Sequence, residues 1–434
     1  MSLFLGIDIG TSGIRSAVID RTESLIASAE APLPAPDDAS GFPTQDPAIW
    51  WAALSECLES LASELASVAS GLPEIDAMAV DGTSGTILLA DADLNPVTRA
   101  LMYNAGGFRR EAEAIERFAE ADSLARGPGS TLARLLRLQR AGEAEDARHA
   151  LHQADWIAAN LAGVAGKSDE NNALKLGYDL IGNCWPAWFE AAGVRMDILP
   201  EIKPVGDLLG TVSERSANRF GFSVNALVAS GTTDGNAAFL GSGASNAGEG
   251  VTSLGTTLTI KLLSECPVVD PGRGIYSHRL FGMWLAGGAS NSGGGALLKF
   301  FSPEQMSELE ARLDPDRSTG ADFYPLPSVG ERFPVADPEF RPLHSPRPED
   351  DAEFFQGLLE GIAKIELSGY RALEQLGANA VTSIRTSGGG AANRSWTRIR
   401  RRIIGCDITS SPASAAEGSA RIAKRCWTNH FKRN

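Results

Sequence analysis

Apolar residues open the chain in two runs, Leu3 to Ile9 and Ile14 to Ile19, parted by the small polar tip Gly10-Thr11-Ser12. Runs of that length broken by a glycine-rich turn predict a β-hairpin with hydroxyl side chains at its tip. From Ala48 to about Ser70 the apolar positions recur at helical spacing, and Gly71-Leu72-Pro73 predicts where that helix stops. Ile75 to Val80 predicts a strand ending on Asp81, followed by the turn Gly82-Thr83-Ser84-Gly85-Thr86 and a strand over Ile87 to Ala90. Arg109 to Leu161 is rich in Ala, Leu, Glu and Arg at helical spacing, which predicts a helical insertion rather than a separate domain.

The strand pattern returns over Ala226 to Thr233, and Asp234 then opens a helix of small residues reaching Gly243. Val251 to Leu263 repeats the opening hairpin, with Gly255-Thr256-Thr257 as the counterpart of Gly10-Thr11-Ser12. Such an internal repeat argues that two halves of the chain share a strand-rich α/β core. An amphipathic helix follows over Ala352 to Leu376. After it come a strand at Ile384, the turn Gly388-Gly389-Gly390 and a helix start at Asn393, an arrangement that brings backbone close to a nucleotide. A chain of 434 residues exceeds what one hydrophobic core usually serves. The expected division is 1–228, 229–414 and a C-terminal helix or tail 415–434.

Composition narrows the partners. A net charge of -15 repels polyanions, so nucleic acid is not expected, and the basic residues gathered after Arg394 read as a solvated face. Five cysteines without paired spacing suggest neither a disulfide framework nor a metal site and fit a reducing, cytoplasmic setting. No stretch approaches the ~18 apolar residues needed to span a bilayer, so no membrane partner is expected. His149 and His152 alone have helical ligand spacing and read as a surface pair. Two nucleotide fingerprints fail: the first glycine of a P-loop ending in Gly166-Lys167-Ser168 would stand at Leu161, and the third glycine of a dinucleotide motif beginning at Gly241 would stand at Asn246.

The candidate chemistry lies at the strand ends. Asp8 sits in an apolar run, where an ionised carboxylate is costly unless paired, hydrated or near a metal. As a hard oxygen ligand it is a candidate to hold Mg²⁺ through water, with Thr11 on the phosphate chain. Asp234 opens a helix, where an acidic residue is a routine cap. Placed just before the second hairpin, it is also a candidate to orient a hydroxyl and accept its proton, with Asp81 as a rival. The tips Gly10-Thr11-Ser12 and Gly255-Thr256-Thr257, with the turn Gly388-Gly389-Gly390, offer backbone N–H groups that cup phosphates without a lysine. Tyr103 is read either as stacking on a sugar or as filling core.

These motifs together resemble the FGGY carbohydrate kinases of the actin, Hsp70 and sugar-kinase fold group. The resemblance rests on Gly6-Ile7-Asp8-Ile9-Gly10-Thr11-Ser12, Gly231-Thr232-Thr233-Asp234, Ser253-Leu254-Gly255-Thr256-Thr257 and Gly388-Gly389-Gly390-Ala391. It implies two RNase H-like, actin-like ATPase domains with the active site in the cleft between them, 1–228 a sugar-binding domain and 229–414 a nucleotide-binding domain, with the C-terminal helix or tail 415–434 expected to return to the first domain. It also implies ATP and Mg²⁺ as cofactors, a small sugar as substrate, and a monomer or homodimer. By the same resemblance Asp8, Ser84, Tyr103 and Asp234 would hold the sugar, Thr11 would lie near the γ-phosphate, and Gly389 with Asn393 would line the nucleotide pocket. The segment Asp81 to Thr86, with Asn172 to Tyr178 and Tyr276-Ser277-His278, looks like a xylulokinase-like branch linked to D-ribulose. Ordinary xylulokinases carry a Met-His-Gly-Gln type of sequence where this chain has Val80-Asp81-Gly82-Thr83. D-xylulose or another FGGY sugar or polyol is the alternative substrate, and a nucleotide-controlled switch protein of the same fold is the alternative class. Tyr103-Asn104-Ala105 departs from the family's Trp-Asn-Asp. The residues from Lys424 onward depart from its Ala- and Gly-rich terminal helix, which predicts weakened packing there.

Overall fold

The computed structural model describes residues 2–68, 74–140, 142–411 and 414–433, so the predicted stop at Gly71-Leu72-Pro73 lies outside the described residues. The chain divides into two compact units. One holds residues up to Gly243 together with the C-terminal segment from Ser414, and the other begins at Ala244. Residues 229 to 243 thus lie in the first unit, as does the terminal segment.

The first unit is built on β1 (Leu3–Ile9), β2 (Gly13–Asp20), β3 (Leu25–Pro32), β4 (Ile75–Gly82), β5 (Leu208–Thr211) and β6 (Leu227–Thr233), joined in the order β5-β6-β4-β1-β2-β3. β1 and β2 form the predicted hairpin, while β4 runs parallel to β1 and β6 parallel to β4. Parallel central strands are covered on both faces and tend to read as apolar runs, as β1 does apart from Asp8; β6 is also buried throughout, although it is polar from Ser230 to Thr233. The period-2 alternation of β1 sorts its residues. Leu3, Leu5, Ile7 and Ile9 join a core with Trp50, Leu54 and Leu58 of helix α1 (Pro47–Val68) and with Trp156 and Ile157 of helix α2 (Gln153–Ala162). Phe4 and Gly6 alternate with that set and meet the C-terminal helix, Ala415–Arg433. A side chain at Gly6 would fall 1.8 Å from the Ala416 carbonyl oxygen, and one at Gly418 would fall 1.8 Å from that of Ala237.

That C-terminal helix departs from the predicted weak packing. Ile422, Ala423 and Cys426 are buried, and Trp427 meets Phe4 edge-on with centroids 5.6 Å apart. The guanidinium of Arg21 lies 4.7 Å from the Trp427 ring, and Lys424 and Arg421 both pair with Glu23. Lys424, where the sequence pattern broke, thus has its partner on the turn after β2.

The predicted helical insertion is only partly helical. Short helices at Arg109–Glu116 and Thr131–Gln139 flank a small sheet in the order Thr44–Gln45, Ala100–Leu101, Ile87–Ala90, His149–His152. His152, expected at the surface, is 1% exposed, with Nδ1 3.0 Å from Asp155 Oδ2. It ends a buried strand and starts α2, so local polarity misled the reading.

In the second unit β7 (Glu249–Leu254), β8 (Leu258–Ser264), β9 (Tyr276–Leu280), β10 (Met283–Ser290), β11 (Ser383–Ser387) and β12 (Asp407–Ser410) run in the order β9-β10-β8-β7-β11-β12. An antiparallel hairpin, β7 with β8, again carries two parallel strands on its first strand's free side, β11 and then β12. The unit's long helix α3 (Asp351–Gln375) presents Phe354, Phe355, Leu358, Leu359 and Ile362 to its core. The repeat read from the two hairpins extends over five strands of each sheet, while the sixth lies at opposite edges, β5 beside β6 and β9 beside β10.

Candidate active site

In the first unit three parallel strands end side by side, which places the residues at their carboxyl ends on one sheet edge. Asp8 stands opposite Asp81 in the β1–β4 register, and Asp234 follows directly on β6. Asp8 is 6% exposed and accepts a 3.4 Å bond from Arg15 of the neighbouring hairpin strand. Asp81 is wholly buried. Its Oδ2 accepts a 2.6 Å bond from Ser419 of the C-terminal helix, and its Oδ1 has no donor among the described residues. Burial, then the charge of Asp8, pushes Asp81 well above the ordinary carboxylate range, with a smaller contribution from Asp234. Burial also raises Asp8, while a hydrogen bond from Asp81 and the charge of Arg15 pull it back. Of the two, Asp81 is pushed the more strongly toward its protonated form, because it is the more deeply buried.

Asp234 is half-buried at the start of helix Asp234–Gly241, and its Oδ1 accepts the N–H of Gly235 at 2.6 Å. Of the two rivals for proton acceptor, Asp81 is enclosed and Asp234 is accessible. The hairpin tip beside them closes through Gly10 N–H to Gly13 O at 3.0 Å, and the β1–β2 ladder ends at Ile9 and Ile14. The amides of Thr11 and Ser12 thus stand beyond the ladder. Among the described residues no group of three or more His, Cys, Asp or Glu side chains is arranged to hold a metal ion.

The turn after β4 is tied down from beneath. Gln153 Oε1 accepts from the backbone N–H and the hydroxyl of Thr83, at 3.0 and 2.7 Å; Thr83 Oγ1 lies 2.6 Å from Thr86 Oγ1, which accepts the Tyr103 N–H at 3.0 Å. The Ser84 hydroxyl, in contrast, has no hydrogen-bond partner among the described residues, and Tyr103 is 42% exposed. Ser84 is left with an unmatched donor and acceptor, and Tyr103 is not core.

In the second unit a cavity of about 490 Å³ is lined by Gly255 and Thr256 of the β7–β8 tip, by Gly389, Gly390 and Asn393, and by an apolar floor including Phe355, Leu359 and Trp396. That volume lies within the usual range for small-molecule sites. Gly388 joins the two sides. It has φ +83°, and a Cβ there would lie 2.7 Å from the Leu254 carbonyl oxygen, so only glycine lets the turn lie against the end of β7. Asn393 caps helix Arg394–Ile404 by accepting the Trp396 N–H at 2.6 Å. The carbonyls of Gly255 and Thr256 receive the amides of Gly294 and Gly295, at 2.8 and 3.0 Å, which fixes the tip. Thr257 and Gly388 complete the same segments without lining the cavity.

The N-terminal domain of the FGGY family of carbohydrate kinases matches residues 3–241, and the C-terminal domain of that family matches residues 250–427. The chain belongs to the FGGY carbohydrate kinases. It is an enzyme that transfers a phosphoryl group from ATP to a sugar, and the alternative of a nucleotide-controlled switch falls away. A xylulose kinase of Klebsiella pneumoniae is 25% identical over 445 residues, covering 97% of this chain and 89% of the relative. An autoinducer-2 kinase of Yersinia pseudotuberculosis is 26% identical over 444 residues, with coverage of 93% and 82%. The crystal structure of a xyloylose kinase from Brucella ovis superimposes with a TM-score of 0.86 at 23% identity, over 98% of this chain and 91% of the other, and confirms the actin-like sugar-kinase fold. The C-terminal match extends to Trp427, so the terminal helix belongs to the FGGY domain over most of its length.

Several residues of this FGGY kinase's site were not legible in its sequence. Ser419 meets Asp81 across 338 positions, and Gln153 meets Thr83 across 70. Trp396 lies inside the basic segment that read as a solvated face, yet it is 3% exposed and forms part of the cavity floor. Its sequence signal was the apolar pair Trp396 and Ile399 at helical spacing among arginines.

Proposed function

We propose that the first unit binds a pentulose, with D-ribulose favoured, and that the second unit binds ATP, Asp234 acting as general base. The observation carrying this reading is the contrast in burial among the three carboxylates at the strand ends: Asp8 and Asp81 are buried, whereas Asp234, directly after β6, is half-buried and reachable by a substrate. Asp234 takes the proton of the attacking sugar hydroxyl, that oxygen bonds to the γ-phosphorus, and the bond to the β-phosphate oxygen breaks to release ADP. Ser84 and Tyr103 contact the sugar, and the Thr11 hydroxyl with the tip amides of Thr11 and Ser12, in the turn that Gly10 begins, receives the phosphoryl oxygens as charge builds on them. Asn393, Gly389 and Gly390 face the nucleoside, and Gly255 to Thr257 face its phosphates.

The donor set fits Mg²⁺. Asp8 is a buried hard oxygen donor beside Asp81, whose Oδ1 has no hydrogen-bond partner among the described residues, and Mg²⁺ takes one or two carboxylates together with water and phosphate rather than a full protein cage. Asp8 would hold it through water, and when bound it neutralises phosphate charge.

D-ribulose is favoured because the side chains at 81 and 83, where xylulokinases carry other residues, are bound internally to Ser419 and Gln153, which moves sugar recognition to Ser84. D-xylulose is the second reading, favoured by the xylulose kinases among the relatives. A coupled ADP-release assay with Mg-ATP against D-ribulose, D-xylulose, L-ribulose, glycerol and no sugar separates them. Strongest stimulation by D-ribulose supports the first reading, strongest stimulation by D-xylulose replaces it with the second, and stimulation by glycerol alone defeats both.

A further inference from the structure

Arg134, on the helix Thr131–Gln139, is 4% exposed, and among the described residues no acidic side chain pairs with it. A buried guanidinium without a counter-ion is costly, and burial alone lowers this one to about 10. Its environment is instead a set of oxygens. Nε donates to Ala105 O at 2.9 Å; one terminal nitrogen donates to Gly85 O at 3.0 Å and Thr131 Oγ1 at 3.4 Å; the other donates to Gly129 O at 2.7 Å and to Tyr103 O. A guanidinium has five N–H donors in a fixed planar fork, and here five acceptors receive them. Four of those acceptors are backbone carbonyls on three separate loops, around Gly85, around Tyr103 to Ala105, and at Gly129. The first two loops carry Ser84 and Tyr103. Gly85 itself has φ +92°, and a Cβ there would lie 3.0 Å from the Arg134 guanidinium, so the loop is shaped to the arginine.

We propose that Arg134 is the positioning residue of the sugar side, a clamp that fixes Ser84 and Tyr103 relative to each other by holding the carbonyls of three loops. This rests on the reading of Ser84 and Tyr103 as sugar contacts. A lysine carries three donors on one nitrogen and cannot span the fork, so the swap that keeps the charge does not keep the clamp.

The test compares the parent with Arg134→Lys, Arg134→Gln and the milder Thr131→Val, which removes one acceptor. Each is measured for sugar KM, ATP KM and kcat, with hydrogen exchange followed in segments 83–86, 103–106 and 127–130. The clamp predicts faster exchange in all three segments and a sugar KM raised about 10- to 100-fold in both Arg134 variants, with ATP KM within about twofold. Thr131→Val should move the same quantities in the same direction by less. Unchanged exchange in the Arg134 variants overturns the clamp. Faster exchange with an unchanged sugar KM overturns its role in positioning substrate, as does an equal rise in both KM values. If the parent phosphorylates no sugar, the functional reading fails, and exchange in the Thr131→Val and Arg134 variants still decides whether the clamp exists.

Discussion

Arg400 and Glu366 form a fully buried pair behind the Gly388-Gly389-Gly390 turn of the second unit. Arg400 donates two parallel bonds to Glu366, each 2.6 Å, and a third to Thr386 Oγ1 at 2.7 Å; Glu366 also accepts the Thr252 hydroxyl at 2.5 Å. The network joins helices Asp351–Gln375 and Arg394–Ile404 to strands β7 and β11, and Thr386 stands two residues before Gly388. Replacing Arg400 with Met leaves a desolvated carboxylate without a partner, which costs about 3–5 kcal/mol. For a unit of this size each kcal/mol lowers Tm by about 2–4 °C, so the unfolding of the second unit should move down by about 6–20 °C. The double variant Arg400→Met/Glu366→Leu removes both charges and should return to within about 1 kcal/mol of the parent, because a well-packed apolar pair costs no desolvation. Calorimetry of parent, both single variants and the double variant measures the coupling, and nucleotide titration of the same four proteins asks whether the turn is held through Thr386. A single variant less than about 1 kcal/mol below the parent, or a double variant as unstable as Arg400→Met, would refute the reasoning.

Three other outcomes follow from the structure. Thr11→Ala should lower turnover about tenfold or more while nucleotide affinity stays within about twofold; turnover equal to the parent's removes Thr11 from the mechanism. Asp169, fully buried at an N-cap, is pushed up to about 6 by burial first and by the charge of Asp155 next. The folded state then holds a proton that the unfolded state loses from about pH 4 upward, so stability should fall by about 3 kcal/mol as pH rises toward 6 and level off above it. Asp169→Asn should flatten that slope in urea titrations, and an unchanged slope would assign it to other groups. Cys184 and Cys266 are exposed, whereas burial pushes Cys426 up to about 12 and also raises Cys57. Alkylation near pH 8 should label the first two and reach Cys57 and Cys426 only on unfolding. Rapid labelling of Cys426 would mean that the C-terminal helix is undocked.

What the sequence carried was local periodicity. Both hairpins, the parallel strands after them and the amphipathic helix near Ala352 follow from patterns of two and 3.6 residues, and the similarity of Gly10-Thr11-Ser12 to Gly255-Thr256-Thr257 exposed the repeat. Asp8 was legible because a carboxylate in an apolar strand needs a reason. What stayed hidden depends on long-range packing. The return of the C-terminal segment to the first unit was expected, but the contacts it makes were not: Gly418, Ser419 and Trp427 acquire meaning only against Ala237, Asp81 and Phe4. The basic character of that helix obscured its buried stripe, since the Glu23 that pairs with Arg421 and Lys424 lies about 400 positions away. Polarity misled the reading at His152 as well: its partner Asp155 is three residues away, but the strand that buries it, through Ile87, comes from the fold.

The division of labour in the first unit is tested most directly by Asp234→Asn, which keeps the shape of the side chain and removes the proton acceptor. Sugar-stimulated ADP release and nucleotide affinity are measured on the same preparation. The account predicts turnover reduced by about 100- to 10,000-fold with the nucleotide dissociation constant within about twofold of the parent's. Turnover within a few-fold of the parent's, or a nucleotide affinity that collapses along with turnover, would contradict Asp234 as the base.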